Sequence, residues 1–226
     1  MCAYRKPLLA LLIVLGVMVT VACAEQLPQS DPSIEPGQIL FNDQFIAGQT
    51  GNWLLEQDEI SSVEMANEQL VLNINQPNTI QFATLQDPEF SDFVVEVDGR
   101  QRAGPADGSY GILFRVQDAD RFYRFSITSN GLYVIERHDA DGTWTRLIPE
   151  WQTSEAINQG LNVANRLKVI ATGPEFTVYV NDILLQQVSD STYSSGTLAL
   201  SGGTFGGANL QVSFDDLVVY GYEPGS

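Results

Sequence analysis

Two arginines on either side of a short turn are the residues of this sequence best placed to do chemistry. The turn signal Asp118-Ala119-Asp120-Arg121 joins two segments in which apolar and polar residues alternate. With Ala119-Asp120 as a two-residue loop, Phe114 faces Phe125, Val116 faces Tyr123, and Arg115 faces Arg124. Alternation then sends the aromatic and aliphatic pairs to a core and both arginines outward. Like charges directly opposite each other are destabilising, so the pair calls for a neutralising group. Planar guanidinium forks suit the hydroxyls or carboxylates of a sugar, an acidic sugar best of all. The next segment, joined through Asn130-Gly131, keeps this parity: it adds Tyr133 and Arg137 to the arginine face and sends Leu132 and Val134 inward. The segment 93–101 splits likewise, with Phe93, Val95 and Val97 inward and Glu96, Asp98 and Arg100 outward. The expected ligand face therefore holds Glu96, Asp98, Arg100, Arg115, Arg124, Tyr133 and Arg137. The same residues also read as a charge ladder on a solvated sheet, whose ion pairs are worth only about 0–1 kcal/mol each.

Trp144 and Trp151 lie beside this block, as do Tyr110 and His138. An indole can stack on a pyranose face, and it can equally serve as rim or core packing. His138, next to Asp139, reads as a turn residue. Were the protein an enzyme, Asp98 or Glu96 would be the acid or base, although glycoside hydrolysis ordinarily needs two carboxylates about 5–9.5 Å apart. Asp43, Asp215 and Asp216 form a second group. If the first and last strands pair, they could approach one another and hold Ca²⁺, a cation that wants six to eight oxygens. The other reading buries Phe214, exposes one aspartate and leaves the other at a bulge. No organic cofactor is indicated. The run Ser201-Gly202-Gly203-Thr204-Phe205-Gly206-Gly207 lacks the lysine and helix of a phosphate loop and reads as a flexible connection that could border the site.

Composition narrows the function classes. The 226 residues carry 28 Asp and Glu against 11 Lys and Arg, a formal net charge of −17, which opposes binding to nucleic acid. One His and two Cys leave little material for zinc sites or for nucleophile triads built on histidine. The N-terminus reads as an address: Arg5 and Lys6, an apolar run from Leu8 to Val21, then Ala22-Cys23. The run is shorter than the roughly 20 residues that span a bilayer. Thr20-Val21-Ala22-Cys23 resembles the lipobox of bacterial lipoproteins, with Thr20 where that motif usually has Leu, Val or Ile. The resemblance implies a signal peptide over 1–22, lipid on Cys23, and a protein held at the membrane surface of the cell envelope. The Pro-rich polar stretch up to residue 38 reads as a tether.

The remaining chain alternates with a period of two, which predicts an all-β domain over 39–222 and a short tail over 223–226. Fifteen segments qualify as strands: 39–46, 52–57, 62–66, 69–74, 79–85, 93–102, 109–117, 121–127, 131–138, 143–148, 165–172, 175–181, 183–188, 195–201 and 209–220. Turn chemistry at 129–131, 140–142, 173–174 and 181–182 makes most neighbours antiparallel, giving a two-sheet jelly-roll sandwich. Segment 154–163 could hold a helical turn.

Several stretches resemble the concanavalin A-like lectin and glucanase sandwiches, and within them the 3-keto-disaccharide hydrolase-like domains, related in shape to laminin G-like modules. They are 92–100 (Asp-Phe-Val-Val-Glu-Val-Asp-Gly-Arg), 108–115 (Gly-Ser-Tyr-Gly-Ile-Leu-Phe-Arg), 122–125 (Phe-Tyr-Arg-Phe), 165–169, 176–181 and 212–218. The resemblance implies the sandwich fold, which hosts lectins, glycanases, adhesion modules and domains with no known ligand. It departs at Tyr123-Arg-Phe-Ser-Ile-Thr128, where hydrolase-type members carry acids and amides, and the glucanase Glu-x-Asp-x-x-Glu signature is missing. The expected function is a surface-tethered, non-catalytic carbohydrate-binding lipoprotein. The alternatives are a glycosidase-type enzyme acting on 3-keto-disaccharides and a structural or protein-interaction domain of the envelope.

Overall fold

A computed structural model of the chain describes residues 36–49 and 51–222. The expected signal peptide, lipidated Cys23, most of the tether and the tail lie outside these residues. Sixteen strands form: β1 (Pro36–Asp43), β2 (Trp53–Leu54), β3 (Ser61–Ala66), β4 (Gln69–Ile74), β5 (Ile80–Leu85), β6 (Phe93–Ala103), β7 (Ser109–Asp118), β8 (Arg121–Thr128), β9 (Leu132–His138), β10 (Trp144–Arg146), β11 (Gln152–Thr153), β12 (Asn165–Thr172), β13 (Glu175–Val180), β14 (Ile183–Ser189), β15 (Thr197–Gly203) and β16 (Leu210–Tyr222). No helix occurs among the described residues; 154–163 makes turns instead. The two-residue β11 is an element that alternation is too short to announce.

The strands build two antiparallel sheets. The first runs β14-β13-β12-β6-β16-β4-β3, with β1 also on β16; the second runs β10-β9-β8-β7-β15-β5-β2, with β11 also on β9. The inward rows of the two sheets interdigitate in one core that includes Phe93, Val95 and Val97 from the first and Ile112, Phe114, Tyr123 and Phe125 from the second. Burying such side chains at roughly 25 cal/mol per Å² is what holds the sandwich together, in described residues that contain no cysteine.

Two local irregularities correct the parity expected from the sequence. The Ala119-Asp120 loop is present, with Asp118 opposite Arg121, but further along Phe114 pairs with Tyr123 and Leu113 with Arg124. Against β15, Phe114 pairs with Leu198 and Val116 with Thr197, so Arg115 is an extra residue, held in the left-handed region at φ 50°. The bulge turns Arg115 into the sandwich, where it is 0% exposed, and sends Val116 to the outer face. The second irregularity is the β8–β9 turn. A two-residue loop would put Tyr133 opposite Thr128, but three residues, Ser129-Asn130-Gly131, turn the chain and place Tyr133 opposite Ile127. Gly131 takes φ 90°, as the third residue of such loops requires. Tyr133 is consequently a core residue and Val134 and Glu136 face outward, the reverse of the expectation.

Candidate functional site

The expected seven-residue ligand face is divided among three places. Glu96, Asp98 and Arg100 do point outward, but β6 belongs to the first sheet, between β12 and β16, on the opposite side of the molecule from Arg124. There Glu96 accepts from Arg166 Nη2 at 2.9 Å and meets Lys168 Nζ at 2.8 Å, while Asp98 lies 3.5 Å from Arg166 Nη1. Burial pushes the Asp98 carboxyl up, Arg166 opposes that, and Asp216 adds to the rise. Arg137 shares the inward parity of Tyr133 and sits at the sandwich edge, paired with Asp139 at 2.9 Å and with Asp190. Arg115 donates to the carbonyls of Tyr193 at 3.0 Å and Ser91 at 2.9 Å, with Phe176 5.0 Å from its Cζ and Asp92 3.6 Å away. Its charge serves the loops at the end of the sandwich and is not available to a ligand on the sheet face.

Arg124 alone of that group stands on the outer face of the second sheet. Its Nε donates to Ser126 Oγ at 3.0 Å, and its Nη2 lies 3.5 Å from Ser109 Oγ. Trp144 and Trp151 flank the guanidinium, with ring centroids 5.3 and 5.9 Å from Cζ, close enough for the cation to rest against both π faces. Glu136, opposite Arg124 on β9, lies 3.9 Å from Nε and 3.6 Å from Arg146. Burial pushes the Arg124 guanidinium down and Glu136 pushes it back up. An arginine starts so high that it keeps its charge at neutral pH.

The floor beneath Arg124 is made of small residues. Gly111 lies opposite Ser126 and Gly203 opposite Ser109, and a Cβ on Gly203 would come within 2.7 Å of the Ser109 hydroxyl. Beside Arg124 a cavity of about 220 Å³ is lined by Asn78, Ile80, Ser109, Gly203, Thr204 and Phe205. Phe205 meets Trp151 edge-on at 5.8 Å. His138 is not a turn residue: it ends β9 with its ring stacked on Phe122 and 4.5 Å from that of Trp144. The glycine run that was expected to be flexible is partly strand, since β15 ends at Gly203, and Gly203, Thr204 and Phe205 border the cavity.

Glu136, Ser109 and Ser126 escaped the sequence reading. The glycine and serine content at alternate positions of 109–111 and 201–203 was the available signal for a floor kept low under a large side chain.

The carboxylates considered for calcium do other work. Asp43 is buried and accepts from the backbone N–H of Phe45 and Gly51 and from Trp53 Nε1 at 2.9 Å, which fixes the loop before β2. Asp215 accepts from Gln69 and from the Asp216 N–H at a bulge in β16, while Asp216 is exposed and Phe214 buried. Among the described residues no group of three or more His, Cys, Asp or Glu side chains is placed to hold a metal ion.

The model of a family described as a 3-keto-alpha-glucoside-1,2-lyase-like domain matches residues 38–219. Among solved structures, the carbohydrate-binding module CBM66 from Bacillus subtilis superposes with a TM-score of 0.61 at 19% identity, covering 75% of this chain and 96% of that one. The laminarinase catalytic domain from Thermotoga maritima MSB8 gives a TM-score of 0.60 at 10% identity, covering 84% of this chain and 100% of that one. A Bacillus subtilis protein described as having a galectin-like fold gives 0.60 at 12% identity over 83% and 97%. These likenesses establish the fold, a sandwich shared by binding modules and glucanases. Comparison with curated protein sequences finds no match.

Proposed function

The chain belongs to the 3-keto-alpha-glucoside-1,2-lyase-like domain family, and on that premise we propose that it is an envelope-tethered carbohydrate-binding protein whose sugar sits over Arg124. One observation carries the reading. A guanidinium only 4% exposed is set between two indoles at the wall of an open cavity, on a floor of glycine and serine. Such a cation offers directional hydrogen bonds to vicinal hydroxyls, and Trp144, at 36% exposure, keeps part of its ring surface available for the C–H face of a pyranose. The lipobox resemblance and the Pro-rich stretch before β1 support the tether, since lipid contributes roughly 0.8 kcal/mol per buried methylene to membrane attachment.

Titration of the purified chain with mono- and disaccharides, followed by calorimetry and tryptophan fluorescence, tests this. Arg124→Ala is expected to weaken the best ligand about a hundredfold, or about 2.7 kcal/mol, while the circular dichroism spectrum is unchanged. Failure of the wild-type chain to bind any saccharide overturns the reading.

A second reading draws on the family description and on Glu136. A 1,2-elimination on a 3-keto-glucoside needs a base for the C2 proton and a cation for the oxyanion that forms at C3; the C1–O bond then breaks and the alcohol leaves with a proton. Glu136 beside Arg124 supplies both roles. Glu96 and Asp98, engaged by Arg166 and Lys168 on the other sheet, do not. Release of the alcohol from a 3-keto-glucoside, lost in Glu136→Gln, would favour it over binding alone.

A further inference from the structure

The outer face of the second sheet carries another cavity, of about 240 Å³, that the sugar reading leaves unused. Leu54, Phe82, Thr84 and Val116 are among its lining residues, and Glu56 and Asp118 bring negative charge to it. Its apolar wall is a product of the β7 bulge. Uninterrupted alternation would have put Arg115 outward; the left-handed residue instead buries that cation and exposes the outer face to Val116, which packs with Leu113, Phe122 and Ala199.

The two cavities lie near one another along β5. Ile80 lines the first and Thr84 the second; on one strand this separation is about 13 Å at roughly 3.3 Å per residue. Phe82, two residues beyond Ile80, also lines the second cavity and is edge-on to Phe122 at 5.8 Å. Neither cavity alone, at about 220 and 240 Å³, reaches the roughly 300 Å³ at which ordinary small-molecule pockets begin. Together they do. One end is cationic and hydroxyl-lined; the other is apolar with a rim that repels anions.

We infer that the ligand is a glycoside whose non-sugar end is uncharged and apolar, an aryl or alkyl group, with the sugar over Arg124 and the aglycone against Val116 and Phe82. The inference rests on the sugar-binding reading and names the class of ligand for it.

Calorimetry on the full chain with methyl and phenyl glucosides, both anomers of each, tests it. The phenyl glucoside is expected to bind about tenfold more tightly than its methyl counterpart. In Val116→Asp that advantage should fall to within twofold while methyl glucoside affinity stays as in the wild type. Thr84→Lys, on the opposite side of the cavity, repeats the test should Val116→Asp not fold. Equal binding of the two glucosides to the wild type overturns the inference and leaves the sugar reading standing. So does a phenyl advantage that survives both substitutions and disappears in Trp144→Ala, which would put the aglycone on the indole. If neither glucoside binds, the inference falls, and the saccharide titration decides separately whether the sugar reading falls with it.

Discussion

One hairpin carries two arginines to opposite fates. At its turn end Arg115 lies inside the sandwich and donates to the carbonyls of Ser91 and Tyr193, joining the loops that follow β5 and β14. In its middle Arg124 lies on the outer face, donates to side-chain hydroxyls, and borders a cavity. Both are buried and both are cations, so neither exposure nor charge separates them. Their acceptors do. A guanidinium consumed by backbone carbonyls from distant loops is part of the frame, whereas one resting on hydroxyls beside open space keeps bonding directions for a guest.

The sharpest test replaces each arginine with methionine, which retains much of the side chain's length and removes the charge. Arg115→Met removes a buried guanidinium and its charge-assisted hydrogen bonds to the carbonyls of Tyr193 and Ser91, and is expected to cost about 3 kcal/mol or more in urea unfolding. Arg124→Met removes a desolvated cation, while Arg146 still faces Glu136, and is expected to change stability by no more than about 1 kcal/mol. Equal losses at the two positions would break the contrast.

A smaller effect belongs to the acidic groups around Arg137. Tyr123 donates to Asp190 at 2.6 Å and Tyr193 to Asp139 at 2.7 Å, and Arg137 pairs with both aspartates. Burial, then hydrogen bonding to the acids, pushes both tyrosine hydroxyls up to about 12. The Arg137 hydrogen bond holds Asp139 below the usual carboxylate range. Asp190 is also lowered: burial would raise it, but hydrogen bonds from Tyr123 and Thr192 outweigh that. A carboxylate depressed by folding contributes stability that is complete above its unfolded value, about 3.9, and is lost as pH falls through the lower folded value. Asp190→Asn should therefore be less stable than the wild type at pH 7, with the gap closing below about pH 4. A gap of constant size from pH 7 to pH 3 would remove these acids from the frame.

The sequence conveyed the strands more faithfully than their neighbours. Segments such as 69–74 and 175–181 are bounded by turn residues and alternate cleanly; the first became β4 with the same limits and the second became β13, one residue shorter. Alternation also told correctly which residues of β6 face inward, because that depends only on the strand itself. It could not tell which sheet β6 joins: β6 pairs with β12 and β16, far along the chain, and nothing local encodes a partner so distant. The site suffered most because its parity was carried through two turns. One extra residue at Arg115 and one at the β8–β9 turn each reversed the faces beyond them, which buried Arg115 and Tyr133 and brought Glu136 to Arg124's side. A left-handed arginine is not announced by its residue type in the way Gly131 is. It persists because its hydrogen bonds to the Tyr193 and Ser91 carbonyls offset the roughly 1–2 kcal/mol that the left-handed backbone costs.

The third and weakest effect lies on the outer face of the first sheet, where Arg166 reaches Glu96 and Asp98 with its side chain 37% exposed. Here a charge ladder is the complete account: opposite charges alternate across β6 and β12, and water reaches them. Screening reduces such a pair to about 1 kcal/mol or less, so Arg166→Ala should lower stability only slightly, and the difference should shrink further in 1 M salt, where the screening length is about 3 Å. Saccharide affinity should be untouched, since the whole thickness of the sandwich separates this face from Arg124. If Arg166→Ala instead weakened sugar binding as Arg124→Ala is expected to, the first sheet would hold the ligand, and the acceptor rule drawn from Arg115 and Arg124 would have picked the wrong face.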